Sequence, residues 1–229
     1  MKRSTFRSLL RFLFDKLTRV TVIGLEHMPR TGGCVVAVNH LSRLDPPLVF
    51  VLIDREDVTA LVADKYKNYP FIPWIVHTVD GIWLHREESD LHALRQARDF
   101  LRAGGVLGIA PEGTRSRVGS LIPAKTGAAY LADKAGVPVI PVAISGTDEA
   151  VWKIFLLLRP RITIQFGPPV HLEPIRHQER EAILQRNTDE IMCQIAAMLP
   201  EKYRGVYAGH SRLQELLQQR NAVDAHPYA

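Results

Sequence analysis

The stretch Cys34-Val35-Val36-Ala37-Val38-Asn39-His40-Leu41-Ser42-Arg43-Leu44-Asp45-Pro46-Pro47 decides the architecture. Five apolar residues read as a short strand, and the polar residues after them fall where a strand leaves its sheet, a position that active sites favour. On a continuous helix, positions five apart point roughly 140° away from each other, so His40 and Asp45 would not meet. Pro46 suits a first helical position and Asp45 the cap before it, so residues 41–44 can form a turn that returns the Asp45 carboxylate to His40. A neutral imidazole held by a carboxylate can accept a proton from a hydroxyl. On spacing alone, a plain helix cap at Asp45 and a structural hydrogen bond at His40 explain the pair at least as well.

Outward from this strand the same pattern repeats. Further β-rich runs occur at Val20–Leu25, Val58–Ala63, Gly81–His85, Val106–Ala110, Val137–Ile144 and Arg161–Phe166, which makes seven. Helical stretches lie between them, clearest at Ser89–Ala103 before Gly104 and at Lys125–Ala135 before Gly136, each glycine standing where a left-handed cap is wanted. A longer helix is expected from Gln178 to Leu199, closed by Pro200. The alternation predicts an α/β fold: one domain, 229 residues long, with a mixed, twisted sheet of roughly seven strands flanked by helices. Residues 1–19 are expected as a separate helix, 20–204 as the folded body and 205–229 as a loose polar tail.

The net charge of +5 resides in the first 19 residues, where Lys2, Arg3, Arg7, Arg11, Lys16 and Arg19 face a single acid, Asp15. Beyond them bases and acids balance, which argues against a nucleic-acid-binding protein. Arg3, Arg7 and Arg11 recur every four residues, and Phe6, Leu9, Leu10, Leu13, Phe14 and Leu17 form an apolar face at helical spacing. A basic amphipathic helix of this kind can lie in the headgroup region of a membrane; the plainer alternative is a helix packed on the core with solvated arginines. No apolar run is long enough to span a bilayer, and no secretory signal is evident, so the expected location is peripheral, on the cytoplasmic face of a membrane. Cys34 and Cys193 suggest neither a disulfide framework nor a metal site.

A second constellation is Gly108-Ile109-Ala110-Pro111-Glu112-Gly113-Thr114-Arg115-Ser116-Arg117, again a strand ending in a polar, glycine-containing turn. Its backbone amides and Arg115 can hold a phosphate, and Arg86, just past the run ending at His85, is a further candidate. A turn with solvated bases is the bland reading. No Walker-type loop, dinucleotide fingerprint or Gly-x-Ser-x-Gly elbow is present.

Taken together, residues 18–170 resemble the 1-acylglycerol-3-phosphate acyltransferase family, within the wider glycerolipid acyltransferases. The resemblance rests on Asn39-His40 with Asp45, on Pro111-Glu112-Gly113-Thr114-Arg115-Ser116 with Lys125 and Gly127 downstream, and on Val137-Pro138-Val139-Ile140-Pro141-Val142. It implies that His40 deprotonates an acceptor hydroxyl, that Asp45 orients His40, and that no covalent acyl-enzyme, metal or cofactor takes part. The donor is an acyl thioester, acyl-coenzyme A or acyl carrier protein. Arg86, Glu112, Gly113, Thr114, Arg115 and Lys65 would position a lysophosphatidic acid or related lysolipid. One block departs: Asp80-Gly81-Ile82-Trp83-Leu84-His85-Arg86 keeps the arginine but has His85 where the family has aspartate, which leaves a different acceptor, such as a lyso-ornithine lipid, open. An ester or thioester hydrolase is the rival enzyme.

Overall fold

A computed structural model describes residues 2–85 and 90–225. In chain order the elements are α1 (Arg3–Leu17), β1 (Arg19–Ile23), β2 (Cys34–Val38), α2 (Asp45–Leu52), β3 (Val58–Ala63), α3 (Ile72–Thr78), β4 (Ile82–Leu84) and α4 (Leu91–Arg102). They continue with β5 (Val106–Ile109), α5 (Gly127–Ala135), β6 (Val139–Ser145), α6 (Ala150–Phe155), β7 (Arg161–Phe166), α7 (Arg180–Met198) and α8 (Ser211–Ala225). The strands form one seven-stranded sheet in the order β1-β7-β6-β2-β5-β3-β4. Neighbours are parallel except β6 and β7, so the sheet is mixed, as its sequence predicts.

β2 is central and fully buried, because helices cover both faces. On one face Val35, Ala37, Leu107 and Val139 pack against α4, α5, α7 and α8. On the other Cys34, Val36, Ile140 and Ile164 pack against α1 and α2. The parallel register has one consequence for function. The C-terminal ends of β6, β2, β5, β3 and β4 and the N-terminal ends of β7 and β1 share a single edge of the sheet, and every polar turn singled out in the sequence lies on it.

Local chemistry sets the boundaries. Gly104 and Gly136 both have positive φ at helix C-termini, where a side chain would be strained. α5 starts at Gly127 rather than Lys125 because the Lys125 amide donates to the Pro111 carbonyl (2.8 Å), keeping that segment out of the helix. β1 stops at Ile23, before Gly24 turns the chain at φ 70° into a short 3₁₀ segment, Leu25–His27.

Two expectations are corrected. Residues 205–225 are not loose: α8 lies against α7, with Leu213 and Leu216 buried beside Tyr207. Leu213 and Leu216 at i, i+3, with Leu217 partly buried against the same cluster, dock the helix, since fully burying each contributes about 1.5–3 kcal/mol. In α1 the helix forms as expected, but Arg3 is half-buried and Arg7 buried, while Arg11 stays exposed and only its guanidinium reaches back to the protein. Their guanidinium groups donate to the carbonyls of Val58, Arg55 and Val51 respectively. For Val51 and Arg55 the cause is a shortage of donors, since carbonyls at and just beyond the C-terminus of α2 have no helical N–H to accept from, whereas Val58 is the first residue of β3. Phe6 and Phe14 are buried, whereas Leu9, Phe12 and Leu13 face solvent.

Candidate active site

At the end of β2 the chain makes the turn that the Pro46 argument anticipates. His40 Nδ1 lies 3.0 Å from Asp45 Oδ2, and the same oxygen accepts from the amides of Leu41 (2.7 Å) and Ser42 (2.6 Å). Asp45 is the first residue of α2, not the cap before it, and its side chain reaches backward. Pro46 and Pro47 explain this: neither has an N–H to offer a capping carboxylate. The cap reading is thereby excluded. Three donors converge on one nearly inaccessible carboxylate oxygen, while the other, Asp45 Oδ1, is buried without a partner among the described residues. With Nδ1–H donated to Asp45, the lone pair of His40 sits on Nε2, on a ring whose side chain is 21% exposed.

The Pro111–Ser116 turn holds His40 from the adjacent strand β5. Glu112 Oε1 accepts from the His40 amide (2.8 Å), and the Ser116 amide donates to the His40 carbonyl (2.8 Å), so both backbone polar groups of His40 are taken by one loop. Glu112 Oε2 accepts from the Ile122 amide (3.1 Å), which anchors the far side. Burial pushes the Glu112 carboxyl above its ordinary range, and the two amide bonds oppose that push. Glu112 is thus a buried strut rather than a surface ligand.

The other candidate residues divide by exposure. Gly113 has φ 67°, and the aliphatic stem of Lys125 runs past it, where a Cβ would stand 3.1 Å from Lys125 Cδ. Thr114 is exposed and Arg115 half-buried on the same turn. Lys65, past the end of β3, is exposed with its ammonium over the Tyr66 ring. Arg86 lies outside the described residues. His85 stands with its Nδ1 3.5 Å from Asp64 and 3.9 Å from Asp90, beside an open cleft of about 580 Å³ walled by Lys67, Trp83 and Gln96. Asp90 caps α4 through Ala93, and that amide, with the His85 amide, holds its carboxyl below the usual range.

Two supports carry no assignment in the sequence reading. Asn39 is buried and pairs both ways with the Ile144 peptide on β6 (2.7 and 2.9 Å), locking the β2 end to the next strand. Ser116 belongs to the matched block, but its amide contact to His40 is a backbone event that residue types do not announce. For the first, the available signals were an asparagine at the end of a five-residue apolar strand and its place beside His40 in the first block of the resemblance.

A family model described as "Acyltransferase" matches residues 19–145, more than half of the chain. A 1-acyl-sn-glycerol-3-phosphate acyltransferase of Chlamydomonas reinhardtii is 35% identical over 57% of this chain and 40% of its own. Enzymes of the same name from Borreliella burgdorferi and Pseudomonas aeruginosa are 25% and 28% identical, over 76% and 73% of this chain and 70% of theirs. The chain therefore spans well under half of the algal relative and about two thirds of the bacterial ones. The crystal structure of the 1-acyl-sn-glycerophosphate (LPA) acyltransferase PlsC from Thermotoga maritima superposes with a TM-score of 0.62, at 24% identity, over 82% of this chain and 79% of that one. That likeness bears on the fold. The length of the family match, over the sheet edge that carries both polar turns, leads to one conclusion: this chain belongs to the acyltransferase family.

Proposed function

We propose that the chain transfers a fatty acyl group from a thioester donor to the free hydroxyl of lysophosphatidic acid or a related lysolipid, with His40 as general base. The carrying observation is His40 itself, its Nδ1 held by Asp45 and its peptide gripped on both sides by the Pro111–Ser116 turn. His40 Nε2 takes the acceptor's hydroxyl proton as the oxygen attacks the thioester carbonyl. The tetrahedral intermediate then expels the thiolate, and the imidazolium returns the proton to sulfur. Asp45 stabilises the charge that forms on the ring. Proton transfer of this kind contributes roughly 10²–10⁴ in rate.

Lys65, Arg115 and Arg86 would recognise the acceptor's phosphate, with Gly113 and Thr114 offering turn amides and a hydroxyl. Glu112 acts through His40 as a positioning residue. Ser42, the nearest hydroxyl in sequence, is buried and accepts from the Leu44 amide (3.4 Å), which supports transfer over a serine-hydrolase reading. The body would sit peripherally on a membrane's cytoplasmic face. Among the described residues no helix is long and apolar enough to cross a bilayer, and α1 turns Leu9, Phe12 and Leu13 outward.

Product analysis tests this reading. Incubated with an acyl thioester, as coenzyme A or carrier-protein ester, the protein should form diacyl product only when lysophosphatidic acid is present. Free fatty acid released at the same rate without acceptor would establish a hydrolase instead.

A further inference from the structure

The connection between β6 and β7 is built in a way that acyl transfer does not require. α6 and residues 156–158 carry Trp152, Phe155, Leu156, Leu157 and Leu158, between half and four-fifths exposed. Large apolar side chains gathered this densely on a surface mark a contact site. The segment is held, not merely loose. Ala150 is fully buried in the core beneath α1, the Leu157 and Leu158 amides donate back to Ile154 and Lys153, and Arg159 donates to the carbonyls of Asp15 and Thr18 at the end of α1. Leu157 and Arg159 both adopt positive φ, a left-handed conformation disfavoured for side chains with a Cβ. The fold accepts that strain to present the leucines outward.

Beside this apolar knuckle lies a basin of about 490 Å³ in which Arg19, Arg159, Arg161 and Lys202 meet. Its acids are occupied: Glu149 pairs with Lys153 (2.6 Å), and Asp148 accepts from the Tyr203 hydroxyl (3.0 Å). Among the described residues, Arg19 and Arg161 have no carboxylate partner. The basin sits where β7 and β1 begin, the same sheet edge on which β2 ends at His40. Leu9, Phe12 and Leu13 of α1 lie on the same side of the sheet as α6, since Phe14 and Ala150 share one core cluster.

We propose that α6 and residues 156–158 insert into the headgroup layer of an anionic phospholipid bilayer, with Arg19, Arg161 and Lys202 taking lipid phosphates, so that the active-site edge faces its lipid substrate. This rests on the membrane reading above and relocates its anchor, because the guanidinium groups of Arg3, Arg7 and Arg11 are engaged by backbone carbonyls of the protein. Apolar side chains entering the acyl boundary with cations at headgroup level follow the physics of interfacial anchors, and an exposed tryptophan fits that depth.

The test is flotation of the full chain with phosphatidylcholine vesicles containing or lacking phosphatidylglycerol. Wild-type protein should bind the anionic vesicles preferentially, and brominated lipid should quench Trp152 in a variant that keeps only that tryptophan. Phe155→Glu with Leu157→Glu should weaken binding by about tenfold or more, and Arg161→Glu by a few-fold. Acyl transfer to a soluble short-chain lysophosphatidic acid should stay unchanged in these variants, which shows that they fold and separates failure of this inference from failure of the acyltransferase reading. Undiminished flotation of the double variant, an unquenched Trp152, or loss of affinity only for an acidic carrier protein would overturn the proposal.

Discussion

The two halves of the active-site edge are built differently. Where β2 and β5 end, polar groups are tied into buried contacts: Asp45 Oδ2 holds three donors, Glu112 spans two amides, and Asn39 pairs twice with Ile144, with Asp45 Oδ1 the buried atom left without a partner among the described residues. Where β3 and β4 end, Lys65 lies exposed over a tyrosine ring and His85 sits half-exposed between two carboxylates beside an open cleft. Buried networks tolerate little change, because one missing partner strands another group in low dielectric, whereas exposed charges are weakly coupled. The rigid half fits a role in chemistry common to a family, and the open half fits a role in choosing the acceptor.

The sharpest way to break this contrast is at Asp45. Asp45→Asn cannot accept all three donors as a carboxylate does and leaves the imidazolium unsupported, so kcat should fall on the order of 10²-fold or more with KM little changed; steady-state kinetics decide. Glu112→Gln keeps one acceptor for the His40 amide but sets an NH₂ against the other contact, and should lower kcat by about tenfold without touching substrate. It also carries a pH signature. Because burial raises the Glu112 carboxyl, wild-type protein loses stability as pH climbs from the ordinary carboxyl range through the raised value. The glutamine variant lacks that loss, so denaturant titrations should show its stability relative to wild type improving with pH.

On the open side, His85→Asp gathers a third carboxylate beside Asp64 and Asp90. KM for a phosphate-bearing acceptor should rise by roughly two- to fivefold at unchanged kcat, the scale of exposed ion pairs. A large drop in kcat would mean that the two halves are not separable. The smallest effect is expected at the cysteines. Burial pushes the Cys34 thiol up to about 11 and Cys193 to about 12, so neither should be alkylated in native protein near neutral pH, and reaction should track unfolding.

Much of this was legible in the sequence, for identifiable reasons. The seven strands and the helices ending at Gly104 and Gly136 follow from apolar runs and glycine punctuation, and the positions of His40 and Asp45 follow from the proline after the aspartate. What escaped depends on tertiary partners. No periodicity says that the Arg3, Arg7 and Arg11 guanidinium groups will find backbone carbonyls of the protein, so an engaged basic stripe reads as a free one. Leu213, Leu216 and Leu217 are too few to mark a docked helix without α7 beside them. The hold of Ser116 on His40 runs through backbone atoms, which every residue type carries alike.

The most direct measurement is acyl transfer by His40→Ala, purified and shown by circular dichroism and thermal melting to be folded. With an acyl thioester and lysophosphatidic acid, its kcat should fall by roughly 10²–10⁴, while its affinity for the acceptor stays near that of wild type. Turnover within a few-fold of wild type would contradict the account, because the base that both halves of the edge are arranged around would not be the base.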